Sequence, residues 1–383
     1  MQRKKILWIV SWYPNKNDRF DGDFIQRHAR AAAIYQDVHV IFVTDAEMEK
    51  PTDEEWNYVT GLTEQIIYFK RKKGFAARLR KQLTWRSTFQ QAVKNYIQEN
   101  GLPDCVHVHI PWKAGLIALW MKKKYGKEFI VTEHWGMYNS VVEGNFYKKP
   151  KLFQALVKKI FLEAKIFVSV SAFLGRSVEE ISGKKIDIIM PNVVDTSLFF
   201  FTEKKYSRFT FIHVSNMVPL KNVKPILDAF QKTLNATKKN VQLILIGNRN
   251  NEYVSYAEQL KLLNSSVFFK GEIPYTEVAQ EMQRSHCLVL NSIMENSPCV
   301  IGEALCCGLP VIATKVGGIP ELVSSTNSMI VPANDSDALA IAMIQMTEKY
   351  QAYQHKKIAD EAGKKFGYST IAQSFYDLYQ AIC

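Results

Sequence analysis

The sequence predicts an α/β protein built from two Rossmann-like halves, on three observations. Short β-branched apolar runs recur along the chain, with room for a helix between most of them. These runs are continuously apolar, as parallel strands must be when helices cover both faces of their sheet. The rhythm stops near residue 191 and restarts near residue 209. A length of 383 residues agrees with two domains at about 100–200 residues each.

In order, the first half offers strands at Lys5–Val10, 38–43, 105–110, 129–132, 166–170 and 187–190. The second offers Phe209–Val214, Val241–Ile246, 267–269, 287–291, Val311–Thr314 and 329–331. The stretch 191–201 reads as the linker, so domains are expected at 1–192 and 193–367. Residues 368–383 then place Ile371, Phe375, Leu378, Tyr379 and Ile382 at helical spacing behind Ser369 as N-cap. This terminal helix is expected to pack back on the first domain. Ligands are expected beyond the carboxyl ends of the strands, with the cleft between the domains as the default site.

Composition narrows the function. With 47% hydrophobic and 22% charged residues, the chain is neither disordered nor collagen-like. Its apolar runs are strand-sized, far short of the roughly 20 residues of a membrane span. Arg3-Lys4-Lys5 leads into a short apolar run ending in Trp12-Tyr13-Pro14 without a small-residue cleavage site, so no signal peptide is read and a cytoplasmic location is expected. The six cysteines form no C-x-x-C pair and read as buried reduced thiols.

The net charge of +12 is lopsided: residues 1–190 hold 31 Lys+Arg against 20 Asp+Glu, and the remainder 18 against 17. A basic half suits nucleic acid, an anionic membrane or an acidic substrate. Residues 69–86 carry eight cations and no acid, interleaved with Phe75, Leu79, Leu83 and Trp85. That reads as an interfacial segment on anionic lipid, at about 1 kcal/mol per cation near the surface. Peripheral attachment to the cytoplasmic face of the inner membrane follows as an expectation. The same run also fits a plain solvated basic helix, whereas no recognised motif supports nucleic acid.

The most informative stretch runs from Asn291 to Glu321. Ser297 reads as an N-cap with Pro298 at the first helical position, and Gly308 and Pro310 end the helix, which is expected over about 298–307. The amides near Ser297, Pro298, Cys299 and Val300 would then form an anion site suited to a diphosphate. Glu295 lies in the loop before the helix and Glu303 on it, an arrangement that suits a sugar nucleotide. A simple capped helix with two solvated carboxylates would carry the same signals. Lys221, in the loop after the first strand of the second half, offers a point charge for a phosphate.

In the first half, His134 ends a β-run and precedes Trp135, an aromatic suited to stacking on a sugar. His107 and His109 alternate on one strand, where a hydrogen-bonded core histidine is the commoner reading. Asp21-Gly22-Asp23 is the nearest approach to a D-x-D pair and reads as a turn; with no His/Cys cluster at ligand spacing, no metal site is expected.

Several of these segments together resemble a known family. They are Glu295 and Glu303 separated by seven residues, Gly308-Leu-Pro310-Val-Ile-Ala-Thr, Gly317-Gly318-Ile-Pro-Glu321, Val218-Pro219-Leu220-Lys221-Asn222, Leu245-Ile-Gly247, Phe269-Lys-Gly271 and Pro191-Asn192-Val-Val-Asp195. Ser11-Trp-Tyr-Pro14, residues 22–28, His107-Val-His109 and Thr132-Glu-His134 extend the likeness loosely over the first half. The chain resembles the retaining glycosyltransferases of family four, whose GT-B fold is two facing Rossmann-like domains with a deep inter-domain cleft.

The resemblance implies transfer of a sugar from a nucleotide-diphosphate sugar, with retention, to a glycan or lipid-linked acceptor in cell-surface polysaccharide or glycolipid synthesis. No cofactor is expected, and because the helix amino end and Lys221 can stabilise the leaving diphosphate, no metal is required. The resemblance places Glu295 beside the donor sugar with His134 near the reacting centre, Glu303 on the ribose and Lys221 on the diphosphate. Base selectivity falls to the loop at Gly271 and Glu272. The acceptor falls to the first half, where Asp21, Gly22, His109 and Trp135 are the candidates. One position departs from the family pattern: Asn216 stands where an arginine is usual, five residues before the lysine. Arg249 and Arg27 are the candidate substitutes. This departure keeps open the alternative of a sugar-nucleotide-binding subunit without turnover.

Overall fold

The computed structural model describes residues 3–71, 74, 77–203 and 208–382. It divides into two compact units, Met1–Pro191 with Tyr368–Cys383, and Asn192–Gly367.

The first unit runs β1 (Lys5–Val10), α1 (Asp23–Ala32), β2 (Asp37–Ala46), β3 (Thr52–Val59), β4 (Leu62–Lys70), α2 (Ala77–Asn100), β5 (Cys105–His109), α3 (Ala114–Tyr125), β6 (Phe129–Glu133), α4 (Lys151–Glu163), β7 (Ile166–Ser169), α5 (Ala172–Ser182) and β8 (Ile188–Ile189). Its sheet has the order β3-β4-β2-β1-β5-β6-β7-β8, parallel throughout except for β3, which pairs antiparallel with β4. Strand side chains alternate between faces. Leu7 and Ile9 therefore join Val106, Val108 and Val131 in a core with Ile117 of α3 and Ile160 of α4.

The hairpin β3–β4 is absent from the sequence expectation, and it corrects the reading of residues 69–86. Phe69, next to the end of β4, is fully buried, and Trp85 is buried with its Nε1 donating to the Val43 carbonyl at 3.0 Å. Trp85, expected on the membrane face, is therefore core. Leu79 and Leu83 stay exposed, at 58% and 59%. Lys72, Lys73, Phe75 and Ala76 lie outside the described residues, as does the side chain of Arg78.

The second unit runs β9 (Phe209–Val214), α6 (Lys224–Ala236), β10 (Val241–Ile246), α7 (Asn251–Gln259), β11 (Val267–Gly271), α8 (Tyr275–Arg284), β12 (Cys287–Leu290), α9 (Cys299–Cys306), β13 (Val311–Thr314), α10 (Ile319–Leu322), β14 (Ser328–Val331), α11 (Ser336–Lys349) and α12 (His355–Phe366). All six strands are parallel, in the order β11-β10-β9-β12-β13-β14. Alternation again feeds two cores. Phe211, Leu243 and Leu245 pack with Phe230 of α6 and Met343 of α11. Ile212, Ile244 and Leu288 pack with Ile301 of α9 and Phe366 of α12. The two Rossmann-like sheets bear out the predicted fold class.

The chain ends in α13 (Tyr368–Ile382), which belongs to the first unit and packs on α1. Ile371, Phe375, Leu378 and Tyr379 are its buried face. Ser369 lies inside the helix rather than capping it, because helical backbone already begins at Tyr368. Tyr379 reaches the sheet: its hydroxyl lies 3.0 Å from Trp8 Nε1 and 2.7 Å from His107 Nδ1.

Candidate active site

In an open parallel sheet, the loops on either side of the strand where the order reverses leave a crevice at the carboxyl edge. In the second unit the reversal falls between β9 and β12, so the relevant loops are 215–222 and 291–298. Lys221 and Glu295 lie one on each. Their side chains meet there, Lys221 Nζ 2.5 Å from Glu295 Oε1, although 74 residues separate them. Ser292 Oγ donates to the same carboxylate oxygen at 2.6 Å.

Backbone bonds hold both loops. The Ile293 amide donates to the Leu220 carbonyl at 2.8 Å, and Asn291 Nδ2 to the Asn222 carbonyl at 3.2 Å. Behind Glu295, the Gly318 amide donates to its carbonyl at 3.0 Å. Gly317 makes that approach possible: its φ is +54°, and a Cβ there would lie 1.8 Å from the Glu295 carbonyl oxygen. Glu295 is only 8% exposed, so its carboxylate depends on Lys221 and Ser292 for the stabilisation that water would otherwise give. An ammonium has three donors. The contact with Glu295 uses one, leaving two to reach an anion.

Glu303, on α9, is also buried and accepts from the Tyr275 hydroxyl of α8 at 2.7 Å. The start of α9 differs by one residue from the sequence reading. Pro298 is the N-cap and the helix begins at Cys299. The cap position therefore falls on a residue with no side-chain donor or acceptor, and the Ser297 carbonyl accepts from Asn192 Nδ2 at 2.8 Å. The helix still spans eight residues with Cys299 and Val300 in its first turn. Gly271 closes β11 at φ +70° with open space where a Cβ would stand, and Glu272 beside it is exposed. Asn216 is exposed in the β9 loop, and Arg249 is exposed in the same unit. Arg27 belongs to α1 of the other unit, where it is buried against Asp23 at 3.2 Å.

Ser292 and Tyr275 are the residues that sequence reasoning missed. Ser292 lies inside the segment already singled out, three residues before Glu295, whereas nothing in local sequence connects Tyr275 to Glu303. His213, near the end of β9, adds a support: its ring bonds the Val289 carbonyl at 2.9 Å and Ser215 Oγ at 2.8 Å, and burial lowers its pKa to about 4.

In the first unit the strand order reverses between β1 and β5, and the strained backbone collects there. Ile110 and Lys113 have φ of +61° and +71°, a conformation that costs a β-branched residue such as isoleucine especially. Ser11 ties the loops, its Oγ donating to the Ile110 carbonyl at 2.8 Å and accepting from the Ala114 amide at 3.2 Å. Asp21 and Gly22 sit in the loop after β1. At Gly22, with φ +63°, a Cβ would meet the Trp12 backbone at 2.7 Å. Burial, and then the charge of Asp18, push the Asp21 carboxyl up to about 6.

His134 follows β6 and is 8% exposed, with Phe24 against its ring at 4.9 Å between centroids. Trp135 beside it is half-buried and meets Trp12 edge-on at 5.5 Å. Glu133 holds this corner, accepting from the His134 and Trp135 amides at 2.8 Å each and from the Tyr138 hydroxyl; burial pushes its carboxyl up to about 7. His109 does not reach the surface. It is fully buried, stacked on Trp8 at 3.9 Å and bonded through Nδ1 to His134 Nε2 at 3.1 Å. A central-strand position with helices over both faces leaves no route for an acceptor to touch it. Its influence passes through His134. His107 is the bonded core histidine, held between Tyr379 and Thr132 Oγ1, each at 2.7 Å.

Spacing along the chain shows no metal-ligand cluster, but the fold brings three histidines together. Ring nitrogens of His28, His109 and His134 lie within 4.8 Å of one another.

Two family descriptions match the chain. Glycosyltransferase Family 4 matches residues 24–198, and Glycosyl transferases group 1 matches residues 195–366. Among curated relatives, the N-acetyl-alpha-D-glucosaminyl L-malate synthase of Bacillus anthracis is 25% identical over 72% of this chain and 74% of its own. A putative teichuronic acid biosynthesis glycosyltransferase of Bacillus subtilis is 21% identical over 97% and 94%. Among solved structures, a sucrose-phosphate synthase from Thermosynechococcus elongatus superposes with a TM-score of 0.78 at 17% identity, covering 99% of both chains. Anabaena HepE in complex with UDP superposes with a TM-score of 0.74 at 17% identity, covering 98% of this chain and all of the other. At such identities the structures share the GT-B fold.

Proposed function

Because the chain belongs to the group 1 glycosyltransferases of family 4, glycosyl transfer is its chemistry, and we propose that its second unit takes a nucleoside-diphosphate sugar as donor. The carrying observation is the buried contact of Lys221, Glu295 and Ser292 at the strand-order reversal. Lys221 and the amino end of α9 give positive potential to a diphosphate, Glu303 takes a ribose hydroxyl, and Glu295 stands by the sugar. The loop at Gly271 and Glu272 takes the base. HepE is solved with UDP and with UDP-glucose, which supports a nucleotide of this kind here.

As the glycosidic bond breaks, negative charge grows on the leaving diphosphate and positive charge on the sugar. Lys221 and the helix dipole stabilise the first, and the Glu295 carboxylate the second. These groups do the work without a cofactor, and the step is assigned to the protein's own charges, with same-face attack and retention. The acceptor is a glycan or lipid-linked sugar held by the first unit through Asp21, Gly22 and Trp135, with His134 at the reacting end. The exposed Leu79 and Leu83 on α2, beside Arg80 and Arg86, support lodging of this unit on an anionic membrane. Among the described residues no helix is long and apolar enough to cross one.

Glu295→Gln tests the reading. It retains the shape and the hydrogen bonds to Lys221 and Ser292 but removes the charge facing the sugar. Nucleoside diphosphate binding should persist while transfer and donor hydrolysis fall by at least about 100-fold. Unchanged turnover would remove Glu295 from the chemistry. A wild-type chain that binds the donor but never turns it over would establish the binding-subunit alternative.

A further inference from the structure

His28, His109 and His134 come from α1, the end of β5 and the residue after β6, and the sequence separates them by 81 and 25 positions. All three are at least nine-tenths buried. One ring nitrogen of each lies within 4.8 Å of the others. Two details go beyond proximity.

The first is at His28. Its Nε2 lies 3.0 Å from the Pro191 carbonyl, which only accepts, so the ring proton sits on Nε2. Nδ1 is left with its lone pair bare, buried and without a hydrogen-bond partner. A backbone carbonyl that fixes the tautomer and aims the other nitrogen is how proteins orient a histidine that ligates a metal. In a site without an ion, the same arrangement strands a buried acceptor at a cost in stability.

The second is the spacing between His109 and His134. Nδ1 of the one is 3.1 Å from Nε2 of the other. Two nitrogens bound at 2.0–2.1 Å to one tetrahedral zinc ion would stand about 3.3 Å apart. The pair thus already has the separation that a shared ion requires. Trp8, stacked on His109, and Phe24, against His134, hold both rings in place.

From these observations we propose that His28, His109 and His134 bind a transition ion of the zinc class, leaving one coordination position open. An all-imidazole donor set suits zinc, copper or nickel and does not suit the hard ions magnesium and calcium, which require oxygen. The ion ties α1 to the ends of β5 and β6, below the loops that carry Asp21 and Trp135. The open position accepts water or one oxygen of a ligand. His134 belongs both to this site and to the proposed reacting end, but Lys221, Glu295, Ser292 and Glu303 take no part, so this site and the Glu295 reading stand or fall separately.

The experiment uses the full chain without a histidine tag, stripped with a chelator and dialysed. Zinc is titrated against a chromophoric competitor, metal content is read by mass spectrometry, and cobalt is used as the optical probe. The expected result is one ion per chain and a four-coordinate cobalt spectrum. His28→Ala and His109→Ala should weaken binding by more than the roughly 10–100-fold that loss of an outer-shell partner costs. His28→Cys provides a control that does not depend on the alanine variants folding: it should hold cobalt and add a thiolate-to-cobalt charge-transfer band, which only direct coordination produces. Failure of the wild-type chain to take up zinc overturns the proposal. Uptake that His28→Ala leaves unchanged, an adventitious ion only, also overturns it, as does a folded His28→Cys protein without that band.

Discussion

Replacing Lys221 by Met removes an ammonium and keeps most of the stem. In the folded chain the Lys221 side chain is 21% exposed and that of Glu295 10%, with 2.5 Å between their charges. Stranding one member of a buried ion pair costs about 3–5 kcal/mol. Glu295 retains the Ser292 hydroxyl, so the lower end, about 3 kcal/mol, applies. The unit concerned spans Asn192–Gly367; for a domain of about that size, 1 kcal/mol moves the melting point by about 2–4 °C, which puts the fall at roughly 6–12 °C. Donor binding suffers separately. Losing one charge-assisted hydrogen bond to the diphosphate costs about 1.5–3 kcal/mol, or roughly 10–150-fold in Kd. Differential scanning fluorimetry measures the first effect and titration calorimetry with UDP and GDP the second, with Lys221→Arg as the charge-retaining control. A variant that melts with the wild type and binds both nucleotides equally well would refute the ion pair and the phosphate contact together.

Two further predictions concern the first unit. Tyr379→Phe removes a hydroxyl shared by Trp8 and His107, leaves two buried polar groups unsatisfied at about 1–3 kcal/mol each, and should lower that unit's melting transition by roughly 4–24 °C; an unchanged transition would show that the hydroxyl is dispensable. Asp21, raised to about 6 from 3.8 by burial and by Asp18, holds its proton more tightly folded than unfolded, so it detracts from stability as pH rises through that interval. Asp21→Asn keeps the contact to Asn15, 3.5 Å away, and should gain on the order of 1 kcal/mol over the wild type at pH 7.5 but little at pH 4.5, partial solvent screening included; equal differences in melting temperature at the two pH values would contradict this.

Strands buried on both faces were the easiest elements to read. β1, β9, β10 and β13 occupy the spans that their apolar runs mark, because a parallel strand covered on both faces is apolar along its whole length. The hairpin β3–β4 escaped because β3, Thr52–Val59, is an exposed edge strand holding Asp53, Glu54 and Glu55 and lacks that signal. Trp85 was read as membrane face because nothing in the local sequence shows that α2 packs against β2 and takes this side chain to the Val43 carbonyl. Capping was read one residue early, since Ser297-Pro298 satisfies the statistical pattern whether or not the serine side chain turns inward. At the proposed donor site, Glu295, Glu303 and Lys221 stood out by motif, but the Lys221–Glu295 contact depends on β9 and β12 being neighbours in the sheet, which spacing along the chain does not express. The His28, His109 and His134 group is the extreme case. Only the pairing of β1 with β5 and of β5 with β6, together with the packing of α1, makes those residues neighbours.

The return of α13 to the first unit has a consequence for biosynthesis. A ribosome releases β1 to β8 early, yet Trp8 and His107 lack their Tyr379 hydroxyl until the whole of the second unit has emerged. The second unit, contiguous from Asn192 to Gly367, has all its parts in hand sooner and can close while translation continues. The first unit's sheet must wait with an apolar strip uncovered, so premature termination or a frameshift before Tyr368 damages the half of the molecule whose codons were read first.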